Sequence, residues 1–294
     1  MDLILQLAAT GLVVGSLYAL CALGWGIIYG TTLHFHVAHG AVFTLAAYYA
    51  YVGQKLLGLP LAAAVIVAIA AAAASGLLID RFLYQPLERR GAVRTTLFIA
   101  SLGLLILVEN TLAILFTPDP LRMDIGVLQT SIRLGPVFLT YLHVATVALA
   151  VIGYGALVLF LKLTRWGQAI RAVSSSPAMA RTIGIDLGRV HLLTYAIGSA
   201  ISAPAGILVA MDVGVEPYRG TTFVLLASVG VIMGGIGSIG GALLGGLSLG
   251  LIENLGVWKI ASEWQSALSF GVFLVFILVR PRGLFGRKVQ SAEL

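Results

Sequence analysis

The chain has 294 residues, of which 59% are hydrophobic and only 10% charged, with a mean hydropathy of +1.01. A soluble domain carries about 25% charged residues, so a water-soluble globule of this length is excluded and lipid must solvate much of the apolar surface. The net charge of +6 does not indicate nucleic acid, because the cations are spread over three segments rather than gathered on one domain.

Apolar stretches recur along the chain at 3–29, 38–55, 60–79, 96–116, 138–161, 190–211, 222–254 and 266–279. Each approaches the ~20 residues that a helix needs to cross hydrocarbon. The first follows an acidic start, Asp2, with no basic region of the kind that opens a secretory signal, and is read as a retained span. It contains the lone cysteine, Cys21, which can form no intrachain disulfide and acts as a small hydrophobe. The 222–254 stretch is too long for one straight span. Its centre, Gly234-Gly235-Ile236-Gly237-Ser238-Ile239-Gly240-Gly241, costs a continuous helix about 1 kcal/mol per glycine relative to alanine. It is therefore read as two short helices around a glycine break, either crossing twice or forming a re-entrant pair. No Ser/Gly or Pro-rich linker divides the chain, which predicts a single domain over 1–294. The expected fold is all-α, a polytopic membrane bundle of about eight segments with broken or re-entrant helices.

Lys and Arg set the orientation. Arg81, Arg89, Arg90 and Arg94 lie in 80–95. Lys162, Arg165, Arg171, Arg181 and Arg189 lie in 162–189, and Arg280, Arg282, Arg287 and Lys288 in the tail. These are thirteen of the eighteen cations, and the three segments are assigned to the cytoplasm. Lys55, Arg122, Arg133, Arg219 and Lys259 fall on the opposite side. The N-terminus is then outside and the C-terminus inside, which requires an odd number of crossings.

Three features could carry chemistry. The first is Thr31-Thr32-Leu33-His34-Phe35-His36-Val37-Ala38-His39-Gly40, where three histidines interrupt an apolar region. They either line a solute path at a break between helices or cap helix ends at the interface. Three imidazoles could also hold a metal, but no carboxylate or thiolate lies nearby in sequence, and no metal is expected. The second is Glu109-Asn110. A carboxylate inside a span is costly, so it serves either the path or a hydrogen bond to a neighbouring helix. Glu253-Asn254 poses the same question near a helix end. The third is the loop at 162–189, where Ser174-Ser175-Ser176 precede Pro177 and Gly184 follows. Here a short helix starts with Pro177 at its first position and stops at Gly184. It can lie on the membrane or dock a soluble partner. Glycines spaced four apart, such as Gly230/Gly234, Gly237/Gly241 and Gly241/Gly245, mark close helix packing.

The sequence has no GxxxxGK[ST], no HExxH and no paired carboxylates placed for acid–base work; Ile236 stands where GxSxG needs its first glycine. The chain is not expected to bind ATP by a P-loop or to be an enzyme.

Together these segments resemble the permeases of branched-chain amino acid ABC importers, in particular the shorter H-type subunit. The resemblance runs through Gly15-Ser16-Leu17-Tyr18-Ala19-Leu20, Ala22-Leu23-Gly24, Tyr29-Gly30, Ala38-His39-Gly40, Pro86-Leu87, Glu109-Asn110 and Arg171-Ala172 through Ala180 to Gly184-Ile185. It continues through Met233 to Ala242, Gly245-Gly246, Gly250-Leu251-Ile252-Glu253 and Arg280-Pro281-Arg282-Gly283-Leu284-Phe285-Gly286. It implies a coupling helix around 171–186 seated in an ATPase groove, with Arg171, Pro177, Ala180, Arg181 and Gly184 as its residues. The residues themselves put His36, His39, Glu109 and Asn110 forward for a substrate path, and Gly234, Gly235, Gly237, Gly240 and Gly241 for helix breaks or close packing. The implied partners are a second, related permease, two ATP-binding cassette ATPases that carry the ATP and Mg, an extracytoplasmic solute-binding protein and membrane lipid. The implied location is the bacterial inner membrane. The sequence departs from the family pattern at His36 and Val37, where an asparagine and a phenylalanine are usual, and at Ala41, where an acidic residue is common. Relatives of this family also carry urea, amides and aromatic acids, and a proton-coupled secondary transporter or a pathless scaffold are the other readings of the same residues.

Overall fold

The computed structural model describes residues 2–281 and 283–285; the expectations attached to Arg282, Gly286, Arg287 and Lys288 lie outside the described residues. In chain order the helices are α1 (Asp2–Thr32), α2 (His39–Tyr51), α3 (Leu61–Ile79), α4 (Gln85–Arg89), α5 (Arg94–Leu115), α6 (Tyr141–Leu163), α7 (Arg165–Ser175), α8 (Pro177–Thr182), α9 (Leu187–Val213), α10 (Arg219–Gly234), α11 (Ile239–Gly256) and α12 (Gln265–Val279). Two π-turns, Val52–Leu56 and Asp80–Tyr84, extend α2 and join α3 to α4, so that Leu61–Arg89 runs as one apolar helix. Among the described residues six helices are long and apolar enough to cross a membrane, and α10 and Ala267–Val279 of α12 are shorter apolar helices. Five helices begin at side-chain caps. Thr140 and His143 bond reciprocally at the start of α6. The side chains of Thr164, Ser176, Asp186 and Ser238 accept backbone N–H groups at the starts of α7, α8, α9 and α11.

One feature departs from the all-α expectation. Strands β1 (Ser131–Leu134) and β2 (Val137–Thr140) pair antiparallel around Gly135-Pro136 and lead into α6. Four-residue strands hid this hairpin: β1 lies between apolar stretches, and Phe138–Thr140 of β2 were read as the start of the apolar stretch 138–161.

Helix α1 is the axis of the bundle. It is buried nearly all round between Gly11 and Ile28 and packs against α9, α10, α11 and α6. A helix apolar on every side must be surrounded, and here glycines let the neighbours close in. A Cβ on Gly24 would strike the Gly198 carbonyl oxygen of α9, and one on Gly250 of α11 would strike the backbone of Gly15. Helix α3 buries only Ala64, Ala68, Ala72 and Gly76, a four-residue stripe against α2 and α9. The stripe on α5 is Leu97, Ser101, Leu105, Glu109 and Leu112, and the remaining faces of α3, α5, α6 and α12 are largely exposed.

Contacts sort the loops into two ends. At one, Gln6 bonds Phe138 of the hairpin, His143 faces Asp212, and Leu121 bridges Val215. At the other, Ser174 donates to the Gly30 carbonyl, Gln85 donates to that of Gly188, and Leu284 donates to Met233. The second end gathers the cations of 80–95 and 162–189 together with Arg280; the first holds Lys55, Arg122, Arg133, Arg219 and Lys259.

Candidate functional site

The chain reverses sharply after α1. Leu33 has φ +57, which few non-glycine residues adopt, and residues 33–36 then run without regular structure into a turn at Val37-Ala38 that opens α2. Irregular backbone at this depth must be satisfied by protein. Trp25 donates through Nε1 to the His36 carbonyl at 3.2 Å, and the Ala38 N–H donates to Ser101 Oγ at 2.8 Å. His36 is fully buried and its Nδ1 lies 2.7 Å from Tyr84 Oη; Tyr195 stacks edge-on against the same ring. His39 is also fully buried, with its ring centroid 5.6 Å from that of His36. Both nitrogens of His39, and Nε2 of His36, have no hydrogen-bond partner among the described residues. Each such group costs about 1–3 kcal/mol if it stays unmatched, so the pair is one of the points in the bundle with unmet polar capacity; Tyr48 Oη and Ser199 Oγ are others. Among the described residues no three His, Cys, Asp or Glu converge as metal ligands.

His34 takes a different place. Its Nε2 meets Glu88 Oε1 at 3.1 Å at the cation-rich end, and its Nδ1 lies 3.5 Å from Tyr195 Oη. Tyr195 thus touches both His34 and His36, and links the surface pair to the buried one.

Glu109 and Asn110 point apart. Glu109, 6% exposed, accepts from the Thr221 N–H at 3.2 Å and from Thr221 Oγ1 at 2.7 Å, at the first turn of α10. A carboxylate there also faces the positive end of the helix dipole. Beside it, the Gly220 N–H donates to Thr44 Oγ1, and a Cβ on Gly220 would strike the Gly40 carbonyl oxygen. The first turns of α2 and α10 therefore touch through two glycines. Asn110 faces outward, its amide donating to the Ile106 carbonyl of its own helix. Sequence reasoning missed Tyr84, Tyr195, Glu88 and Thr221. Glu109 and Thr221 lie 112 positions apart, and nothing local advertises the pair.

The glycine break is narrower than expected. Gly234 ends α10 and residues 235–238 form the turn, with Gly235 at φ +105 and Gly237 at φ +81. Gly240 and Gly241 are not part of it: they lie in the first turn of α11, because Ser238 caps that helix through the Gly241 N–H. Gly241 instead packs on Gly234, where a Cβ on either would meet the other's backbone. The Leu284 and Phe285 N–H groups donate to the last carbonyls of α10, Met233 and Gly234, both at 2.9 Å.

At the same end α8 forms a one-and-a-half-turn projection. Gly184, at φ +85, lets the chain turn back, and the Ile185 N–H returns to the Ala180 carbonyl. Ala180 is buried against the bundle, whereas Arg171, Pro177 and Arg181 are exposed, as are Met179 (66%) and Ile183 (71%).

Residues 7–277 match the family described as branched-chain amino acid transport system / permease component. The chain is 32% identical to the high-affinity branched-chain amino acid transport system permease protein BraD of Pseudomonas aeruginosa, over 96% of each chain. It is 31% identical to the permease LivH of Escherichia coli K12, over 96% of each chain. It is 26% identical to the probable permease LivH of Methanocaldococcus jannaschii, over 94% of this chain and 90% of that one. The chain belongs to the branched-chain amino acid transport permease family. As a member it is a transport permease and a multi-pass membrane protein.

Proposed function

We propose that this chain is the membrane-spanning permease of an ATP-driven importer of branched-chain or similarly small amino acids. Nine segments cross the membrane in this reading: α1, α2 with its π-turn, the α3–α4 helix, α5, α6, α9, α10, α11 and α12. The odd number puts the N-terminus outside and the cation-rich end in the cytoplasm, as Lys and Arg prefer. The whole chain acts as one permease domain in the inner membrane. Its lipid-facing sides are those of α3, α6 and α12, and the Asn110 face of α5 meets a second, related permease. An extracytoplasmic binding protein delivers solute at the hairpin end.

Energy comes from two ATPases that carry the ATP and Mg; this chain supplies no cofactor site of its own. The observation that carries the reading is the α7–α8 projection. Met179 on the short helix α8 and Ile183 just past its end are large exposed apolar side chains at the cytoplasmic end, flanked by Arg171 and Arg181. Such a knob suits a protein groove better than water. Ala180 and Gly184 hold its shape, and Pro177 starts it. When the ATPases close, α8 moves, and through α9 the motion reaches Tyr195, His34 and His36. The path runs past the unmatched nitrogens of His36 and His39 and the Glu109–Thr221 contact, with the Gly234–Gly241 crossing and the turn at Gly235 and Gly237 as the points that flex; Gly240 sits at the rim of that turn.

His36, Val37 and Ala41 sit beside the path and depart from the family's usual residues, so a solute such as urea, an amide or an aromatic acid is the second reading. Co-purification tests the first. The permease should bring down its ATPase, and Met179→Asp with Ile183→Asp should abolish that capture while the thermal unfolding of the bundle stays unchanged. Undiminished capture by the doubly substituted chain would contradict the proposal.

A further inference from the structure

A cleft of 350 Å³ opens at the cytoplasmic end between the turn joining α4 to α5, the start of α9 and helix α8. That volume lies at the small end of the roughly 300–1,000 Å³ of small-molecule sites. Its lining has two chemistries. Ala92, Leu97 and Leu187 make an apolar wall, while Glu88, Arg94 and Arg181 bring one carboxylate and two guanidinium groups, beside the imidazoles of His34 and His191. Glu88 is held in place by His34 at 3.1 Å with a third of its side chain still open. Among the described residues, neither Arg94 nor Arg181 takes part in an ion pair. Two unpaired guanidinium groups, an oriented carboxylate and an apolar wall together match a zwitterion with an aliphatic side chain. The arginines take the carboxylate, Glu88 takes the ammonium, and the wall takes the side chain.

We infer that this cleft binds a free aliphatic α-amino acid from the cytoplasmic side, and that its occupancy slows the transporter. Arg181 stands on α8 and Arg94 on α5, so a ligand bridging them ties the projection to the bundle and opposes the movement of α8. This rests on the reading above, that an aliphatic amino acid is the solute and that ATPases grip α8. Accumulated solute would then restrain its own import.

The test uses the complete complex in proteoliposomes with the ATPases facing outward and the binding protein and L-leucine trapped inside. ATP hydrolysis is followed as external L-leucine is raised. The rate of each protein, relative to its own leucine-free rate, should fall with external leucine. Glu88→Gln and Arg94→Gln should each raise the half-inhibiting concentration about tenfold, the effect of losing one charge-assisted contact. Ala92→Phe, which fills the apolar end without touching a charge, should raise it too. Leucinol, which lacks the carboxylate, and 4-methyl-2-oxopentanoate, which lacks the ammonium, should each inhibit only at concentrations about tenfold higher or more. Insensitivity of the unsubstituted complex to external leucine, equal inhibition of all three variants, or equal inhibition by the oxoacid would overturn the inference. If leucine on the binding-protein side fails to stimulate hydrolysis at all, the transport reading itself has failed; if that stimulation is present and external leucine does nothing, only this inference falls.

Discussion

Helices α1 and α6 are both long and apolar, yet 83% of the most apolar window of α1 is buried inside the bundle, against 22% for α6. Hydropathy alone could not separate them. What separates them is the neighbours' side chains. Gly24 faces Gly198, Gly15 and Gly11 face α11, and Gly246 faces Ala19, so backbones rather than side chains meet along α1. Around Gly155 of α6 there is open space. In lipid no hydrophobic force drives one apolar helix onto another, and close backbone approach must supply the packing. Greasiness therefore says which helices enter the membrane, and small residues say which of them form its protein core.

Enlarging the glycines of the axis should break this contrast most strongly. Gly24→Leu or Gly198→Val pushes a side chain into opposing backbone and should destabilise the bundle by about 3 kcal/mol, the upper end of the usual overpacking penalty. Folded yield and thermal unfolding in detergent would both drop. Gly155→Leu should leave them unchanged, and equal damage from the two substitutions would erase the distinction. A smaller effect is expected at the contact between α5 and α10. Thr221→Val removes one donor to Glu109 and should cost about 1–3 kcal/mol. Adding Glu109→Gln should recover part of it, since the side chain left behind carries no charge, and a double-mutant cycle reads the coupling.

Next comes the projection, which belongs to neither class of helix. Gly184→Val forces a β-branched residue to φ +85 and strains α8 locally by about 1–2 kcal/mol. The unfolding temperature should shift little while ATP hydrolysis and uptake become uncoupled; Gly184→Asn, which tolerates positive φ, should keep them coupled. The smallest effect is expected at Asn110. Asn110→Leu should change the stability of the isolated chain by within about 0.5 kcal/mol. A cysteine at the same position should crosslink to the second permease, which the equivalent cysteine at Ile152 of α6 should not.

Much of this was legible in the sequence. The apolar runs give the long helices because lipid forces every backbone group into an internal hydrogen bond. The glycine cluster at 234–241 marks a break, although the chain turns only over 235–238, since the position of a helix start depends on the Ser238 cap. Histidines 34, 36 and 39 stand out as polar groups in apolar sequence, but their separate fates do not. His34 finds Glu88 and His36 finds Tyr84, about fifty positions away, and such pairings arise only when α3, α4 and α9 have packed. Glu109 was conspicuous as an intramembrane carboxylate, whereas Thr221 looked like any residue at a helix start. The β1–β2 hairpin was invisible because strands of four residues leave no periodic signal.

Uptake by reconstituted vesicles tests the central claim most directly, that this polypeptide forms a path whose driving force is supplied by ATPases held at α8. The account predicts that solute accumulates against its gradient only when the ATPases, the binding protein and ATP are all present, and that collapsing the proton gradient changes nothing. Uphill accumulation by the permease alone, with a proton gradient and no nucleotide, would contradict it.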